Sequence, residues 1–290
     1  GRARFVIASN LRYVAEPVQL RPIAGLGALA ACALPILLGF VVPTAHLAKL
    51  ALSSGVLVSD RQFVRDALNS LLLATVAAAL IVGLAVFLSY AGRLVRHRML
   101  HRTIAFASLG YAIPGAVIAV GVLLPLAFAD HGLDLLSRRL LGVPTGLLLS
   151  GTAFALVLAY TVRFLAVGMS NVAPGLAAID PAMDASARIL GARPREVLWR
   201  IHLPMLRAPA LTAGIVAFVE VLKELPATLL IRPFNFDTLA IGVYRFASDE
   251  RLAQAAVGSI LIVTVSLAPV ILLSRTVAAS GRPTSSPRGP

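Results

Sequence analysis

An all-α protein embedded in a membrane is the fold class that this sequence predicts, and three observations predict it. Of 290 residues, 58% are hydrophobic and only 13% charged, with a mean hydropathy of +0.88. A soluble domain carries about 25% charged residues. The apolar residues fall in six runs, each long enough to cross roughly 30 Å of hydrocarbon at about 1.5 Å per residue. None alternates with the period of a strand, so helical spans rather than a barrel are expected.

The elements follow in order. Residues 1–22 are polar and arginine-bearing, with no apolar signal-peptide core, and read as a basic cytoplasmic segment. The first residue is Gly, which suggests a piece of a longer chain. A single six-helix domain is expected over 23–275, with spans at about 23–43, 67–91, 103–128, 146–170, 209–231 and 254–274. Pro114 and Pro125 predict a kink in the third span. GRLVRHRMLHR, between the second and third, predicts a tight, solvated hairpin. The tail 276–290 is rich in Pro and Ser and reads as disordered.

The formal charge of +13 alone would suggest nucleic acid, but its distribution does not. With the N-terminus inside, the inner segments 1–22, 92–102, 171–208 and 275–290 hold 16 cations. The outer segments hold 8, and Arg163 and Lys223 lie within spans. That bias places both termini in the cytoplasm, and no nucleic-acid partner is expected. The lone Cys32 permits no intrachain disulfide. The five histidines are scattered, and His97 with His101 is too small a set for a metal site.

One inner connection, 171–208, carries helix punctuation of its own. Asp180 can cap a helix beginning at Pro181. Met183, Ala187 and Leu190 then share a face, and Gly191 can end the helix in the left-handed conformation. A second helix can begin at Pro194, with Val197, Leu198 and Ile201 on one face, and Pro204 is expected to stop it. Arg188, Arg193, Arg195, Glu196 and Arg200 form the polar faces. Two amphipathic helices of this kind either lie on the membrane surface or dock on a soluble partner.

The fifth span contains FVEVLKELPATLLIRPF, residues 218–234. Glu220 lies about 16 Å into it by helical rise. Glu220, Lys223 and Glu224 share one helical face at i,i+3 and i,i+4 spacing. A charge at the bilayer centre costs about 2.5–3.5 kcal/mol on the gentler scale, so this face should point into the bundle or a watery cavity. Arg163 and Lys223 balance Glu220 and Glu224, and a closed network of the four is expected. Pro226 frees the carbonyl of Leu222 and should bend the helix there. A pathway or gating role is assigned to Arg163, Glu220, Lys223, Glu224 and Pro226.

From Ala185 to Pro204 the inner loop resembles the cytoplasmic signature of permease subunits of binding-protein-dependent ABC importers. That signature runs Glu-Ala-Ala, three residues, Gly, nine residues, Ile, one residue, Leu-Pro. Gly191, Ile201, Leu203 and Pro204 match it in identity and spacing, and Ala187 matches the second alanine. Ala185 stands at the glutamate position and Ser186 at the first alanine, with Asp184 just before and Arg188 just after. KELPATLLIRPFNFDTLA, 223–240, followed by SDERLAQAA, resembles the ferric-iron branch, in its later six-helix half. The resemblance covers roughly 60–275. It implies a type I importer permease fold and a coupling helix, within 180–204, seated on a separate ABC ATPase dimer. It also implies a periplasmic binding protein as cargo donor, a second permease half, fused or separate, and location in the bacterial inner membrane.

No G-x-x-x-x-G-K-[ST] occurs in the chain, so ATP and Mg are expected on the partner and no cofactor on this chain. Ferric iron is the expected cargo; thiamine, phosphonate, sulfate and polyamine permeases share the architecture. In the outer loop, Arg232, Asp237, Arg245, Asp249 and Glu250 either dock the binding protein or are solvated charges at the membrane edge. A gradient-driven secondary transporter is the competing transport class, made conceivable by Glu220 and Glu224. An embedded enzyme finds no nucleophile–base pair or metal set in the sequence.

Overall fold

The computed structural model describes residues 20–54, 60–95 and 97–280. Residues 1–19 of the expected basic segment, Arg96 of the hairpin and 281–290 of the expected tail lie outside the described residues. Among the described residues there is no strand. The chain divides into two compact units, 1–46 and 47–290, and the boundary falls inside the first helical run.

That run is α1, Pro22–Ser53. Pro22 occupies its first turn, where a missing N–H has no intrahelical partner to lose. A π turn at Leu37–Val41 lies between Pro35 and Pro43. Widening one turn lets the helix continue past ring positions that would otherwise break it. The helix therefore runs ten residues beyond the expected end at 43.

In the second unit, α2 (Arg61–Leu94) starts at Asp60, whose side chain accepts from the Gln62 N–H at 3.2 Å. The third predicted span is not one kinked helix. It is α3 (Arg98–Ala107), a 3-10 turn at Ser108–Ala112, and α4 (Gly115–Leu141). The hairpin shrinks accordingly, because helix resumes at Arg98. Pro114 stands at the N-cap of α4 instead of inside a kink, and Pro125 is carried within α4. The turn is tight for a steric reason. At Gly110 the backbone approaches the Val162 carbonyl so closely that no Cβ would fit.

The fourth span begins later than predicted, as α5 (Ala153–Ala177). The residues before it are held by a carboxylate of α4. Asp130, buried, accepts from the N–H groups of Leu148 (3.0 Å), Leu149 (2.8 Å) and Ser150 (2.8 Å), and from the Ser150 hydroxyl (2.5 Å). These donors lie just ahead of α5 and need acceptors to be buried. Asp134 takes the Thr145 N–H at 2.9 Å.

Then follow α6 (Pro181–Ile189), α7 (Pro194–Met205), α8 (Arg207–Leu222), α9 (Pro226–Ile231), α10 (Leu239–Ser248) and α11 (Leu252–Ser280). Among the described residues, five helices are long and apolar enough to cross a membrane: α1, α2, α4, α5 and α11. A further pair, α7 and α8, passes the same test only when taken together and is bent by 73° at its break. The predicted fifth span is thus divided, with α8 and α9 separated at 223–225.

The core joins α2, α4, α5, α8 and α9. It is built from Ala74, Ala77, Ala119, Ala155, Ala159, Ala217 and Ala227, with Ile81, Leu156, Tyr160 and Phe164 filling between them. Lipid is as apolar as a leucine side chain, so packing in a membrane rests on close approach of small residues rather than on burial from water. The alanines allow that approach.

Candidate functional site: a coupling loop and a broken intramembrane helix

The loop at one end of the bundle folds as its sequence punctuation requires. Asp180 accepts from the Ala182 N–H at 2.8 Å and Pro181 opens α6. Gly191 has φ +82°, a conformation costly for residues with a Cβ. Its N–H closes on the Arg188 carbonyl (3.0 Å), and that of Ala192 on the Ala187 carbonyl (3.0 Å). At the start of α7, Glu196 accepts from the Arg193 N–H at 3.1 Å. Ala187 and Val197 are buried, whereas Ala185, Ser186 and Arg188 are exposed. Met183, Ala187, Leu190, Val197 and Ile201 line an open groove of about 640 Å³ between the two helices.

Two expectations for α7 need correction. Pro204 does not stop it: the helix runs to Met205 and turns at Leu206. A π turn at Leu198–His202, in which the Leu203 N–H reaches the Leu198 carbonyl, precedes the proline and has already widened the register there. Leu198 does not share the groove face. It packs with Tyr90, Leu176, Ile179 and Leu206 against the bundle. Ile201 and Leu203 are half-buried and Pro204 is exposed. The most exposed large apolar side chains here are Ile189, Leu190 and Trp199. Neither Ile189 nor Trp199 was singled out by the sequence pattern.

Behind the loop lies a buried polar cluster that the sequence does not announce. Arg93, at the end of α2, donates to Asp184 Oδ2 at 2.8 Å through Nε, to the Leu176 carbonyl at 2.6 Å and to the Ile179 carbonyl at 3.0 Å. Asp184 Oδ1 meets Nε2 of His202 at 2.7 Å, and His202 is fully buried with no partner at Nδ1. Tyr90 donates to the Pro194 carbonyl at 2.7 Å and stacks at a tilt on His202, with centroids 5.3 Å apart. Burial pushes the Asp184 carboxyl up, but the hydrogen bond and charge of Arg93, with the His202 contact, outweigh it. The group is held below the ordinary aspartate range. Histidine 202 looked scattered in sequence and Arg93 looked like one topology cation among many.

The charges of the broken span are arranged otherwise than a continuous helix would place them. Helix α8 ends at Leu222, so Glu220, Lys223 and Glu224 do not share one face. Nor is there a closed network of four. Lys223, exposed, pairs with Glu220 at 2.8 Å, and Arg163 pairs separately with Glu224, Nε to Oε2 at 3.3 Å. The reason is the break itself. The Glu224 N–H turns to the Val221 carbonyl (3.1 Å), which rotates the Glu224 side chain inward and leaves Lys223 outside.

Glu224 also accepts from the Ala227 N–H at 3.2 Å, serving the first turn of α9 beside Pro226. Its backbone carbonyl accepts from the Thr228 hydroxyl (2.7 Å). With that proton committed, the buried Tyr160 hydroxyl donates to Thr228 Oγ1 at 2.6 Å. Arg163 reaches the Ile113 carbonyl at 3.1 Å, but its Nε makes no aligned hydrogen bond. Gly115 lies against the pair: a Cβ there would run into Glu224 Oε1 and lie 2.6 Å from Arg163 Nη1. Tyr160, Thr228 and Gly115 also belong to this centre, of which the sequence pattern singled out the charges and Pro226 but not these three.

Of the five outer-loop candidates, Asp237 is buried between Arg232 and Arg245, which pair with its two oxygens. Its own carbonyl takes Asn69 of α2 at 3.0 Å. It is a brace for the start of α10 and is not presented to a partner. Asp249 and Glu250 are exposed at the turn into α11.

Comparison with known proteins decides the family. Residues 81–280 match the family described as the binding-protein-dependent transport system inner membrane component. The chain belongs to that family. Among its curated relatives is the Fe(3+)-transport system permease protein FbpB 2 of Haemophilus influenzae, 28% identical over 210 residues. That match covers 71% of this chain and 38% of the relative. The putative 2-aminoethylphosphonate transport system permease protein PhnV of Salmonella typhimurium is 26% identical, over 60% of this chain and 61% of that one. The chain thus spans less than two thirds of the length of each. A bacterial ABC transporter for the acidic polysaccharide alginate shares the fold, with a TM-score of 0.69, 15% identity, and coverage of 90% of this chain and 96% of that one. The inward-facing MetNI methionine transporter aligns at a TM-score of 0.55 and 16% identity. The likeness to these structures shows the type I importer permease fold, and the family match makes the chain a multi-pass membrane protein of that family.

Proposed function

We propose that this chain is the membrane-spanning subunit of an ATP-driven importer. In this reading it receives cargo from a periplasmic binding protein and is coupled to a separate ABC ATPase dimer through residues 180–204. The observation that carries the reading is the α6–Gly191–α7 element. It sets two helices around an open apolar groove, crosswise to α8, and is tied to the span ends by Arg93 and Tyr90. Such a groove suits a protein partner better than lipid, because it is concave. The arginine bias puts this end in the cytoplasm, with both termini on the same side, and a second permease half completes the pathway.

In this mechanism closure of the ATPase dimer presses α6 and α7. The displacement reaches α8 across the bend at Leu206, and the break at 223–225 absorbs it. Arg163 and Glu224 hold α5, α9 and the start of α4 together in one state and separate in the other. The chain itself carries out no covalent chemistry; nucleotide and magnesium belong to the partner. Arg232, Arg245, Asp249 and Glu250 lie on the side assigned to the binding protein.

Ferric iron is the cargo we assign, because a relative named for ferric transport matches 71% of this chain, against 60% for the phosphonate-named relative. The phosphonate-named relatives support the second reading, the same role for an organophosphonate. The test is uptake into proteoliposomes containing the chain, its second half, the ATPase and the binding protein. Labelled ferric iron and 2-aminoethylphosphonate would be compared. ATP-dependent accumulation that an uncoupler leaves intact supports the importer, and the label that accumulates identifies the cargo. Uptake that needs no ATP and stops with the uncoupler would overturn it in favour of a gradient-driven carrier.

A further inference from the structure

We propose that Arg93 is the positioning residue that makes the coupling loop and two membrane spans move as one body, and that Asp184 is its partner for this task. The inference rests on the importer reading above and adds a part to it.

One guanidinium touches three separate structural features. Its Nε holds the Asp184 carboxylate in α6, and its two terminal nitrogens hold the carbonyls of Leu176 and Ile179. The Leu176 carbonyl belongs to the last turn of α5 and the Ile179 carbonyl to the linker just after it, where helical hydrogen bonding runs out. Only arginine has this planar fork; a lysine supplies a single point of charge. Asp184 then passes the contact on to His202, in the π turn of α7. One turn back on α2, Tyr90 holds the first residue of α7. Both helices of the loop are therefore fastened to α2 by polar contacts, in addition to their covalent connections.

The side chains involved are buried or nearly so: Arg93 keeps 16% of its side-chain surface and Asp184 9%. Hydrogen bonds to charged groups in such surroundings are strong and costly to leave half-made. The carboxylate sits one residue before the position where the family signature places glutamate, and it points inward. It is buried and both its oxygens face Arg93 and His202, so an ATPase contact is not its role. Without the clamp, a push on α6 would bend the linkers at 178–180 and 190–193 instead of displacing α2 and α5.

The experiment uses the complete importer in proteoliposomes and reads cargo moved per ATP hydrolysed, together with the binding-protein concentration for half-maximal stimulation. Arg93→Met should leave that concentration and the stimulated hydrolysis near wild type. It should lower cargo per ATP on the order of tenfold, the scale on which members of one hydrogen-bonded network couple. Arg93→Lys should recover part of the loss. Arg93→Met with Asp184→Asn should be no worse than Arg93→Met alone. A wild-type ratio in Arg93→Met, or additive losses in the double variant, would overturn the proposal. Should Arg93→Met fail to assemble, Arg93→Lys decides: a lowered ratio supports the clamp and a wild-type ratio sinks it. A wild-type complex with no ATP-driven uptake would instead sink the importer reading, and this inference with it.

Discussion

Two buried ion pairs each sit at a helix interruption, and they are built to opposite specifications. At the loop end, Arg93 uses three nitrogens on three acceptors, and Asp184 has both oxygens occupied at 2.7–2.8 Å. Mid-bundle, Arg163 meets Glu224 at 3.3 Å, its Nε is left without an aligned partner, and Gly115 crowds both side chains. The first is saturated and joins elements firmly. The second is under-satisfied and holds α5 to a helix already cut in two. Low dielectric makes a complete polar network rigid and a partial one expensive. In the mechanism proposed above, the difference separates a fixed joint from one that can open.

The comparison breaks most severely if one member of the loose pair is removed. Arg163→Met should destabilise the protein by about 3–5 kcal/mol, because Glu224 is then buried without a counter-charge. Thermal unfolding in detergent would show it, and adding Glu224→Gln should restore most of the loss. If the single and double variants melt together, the pair is not a buried one. A smaller effect is expected at the saturated joint. Asp184→Asn keeps the shape but loses the charge, and should cost about 1–3 kcal/mol, read by the same melt.

The same joint has a defined pH response. The folded Asp184 carboxyl lies below its ordinary value. Its contribution is therefore present above the unfolded pKa of about 3.9 and is lost as pH falls through the lower, folded value. Hydrogen-exchange protection factors across 180–204, corrected for the intrinsic pH dependence of exchange, should be flat through the neutral range and fall only in acid, and Asp184→Asn should abolish the acid limb. Next in size, Gly115→Ala should cost about 1–3 kcal/mol, since a methyl is driven into the Arg163–Glu224 contact. Least of all, Lys223→Gln should change stability by less than about 1 kcal/mol, because that pair is largely exposed. A large effect there would mean that another subunit buries Lys223.

Local signals were legible and long-range ones were not. Hydropathy gave the spans, and Asp180, Pro181 and Gly191 gave the loop helices, because caps and left-handed glycines act within a few residues. Pro226 predicted the interruption of the fifth span. It did not predict that ending α8 at Leu222 would turn Glu224 inward and Lys223 outward, since a rotation at a break has no sequence period. Arg93, Tyr90 and His202 were missed for the same reason: the residues that hold them are distant in sequence. Their only hint was the i,i+3 spacing of Tyr90 and Arg93 at the end of an apolar run. Ala185 stands at the signature's glutamate position, and nothing in that pattern announced that the Asp184 carboxylate just before it turns inward to Arg93 and His202. The Asp237 side chain looked like a surface charge because its two arginines cannot be paired with it by inspection.

The cage around Asp130 restricts where movement is possible. Four donors ahead of α5 converge on one side chain of α4, so the α4–α5 corner resists fraying and shearing. Rearrangement of the second unit is thereby directed to the uncaged corner between α8 and α9. In the proposed mechanism that corner would serve as the fulcrum, while α4 and α5 are carried together as one rigid piece.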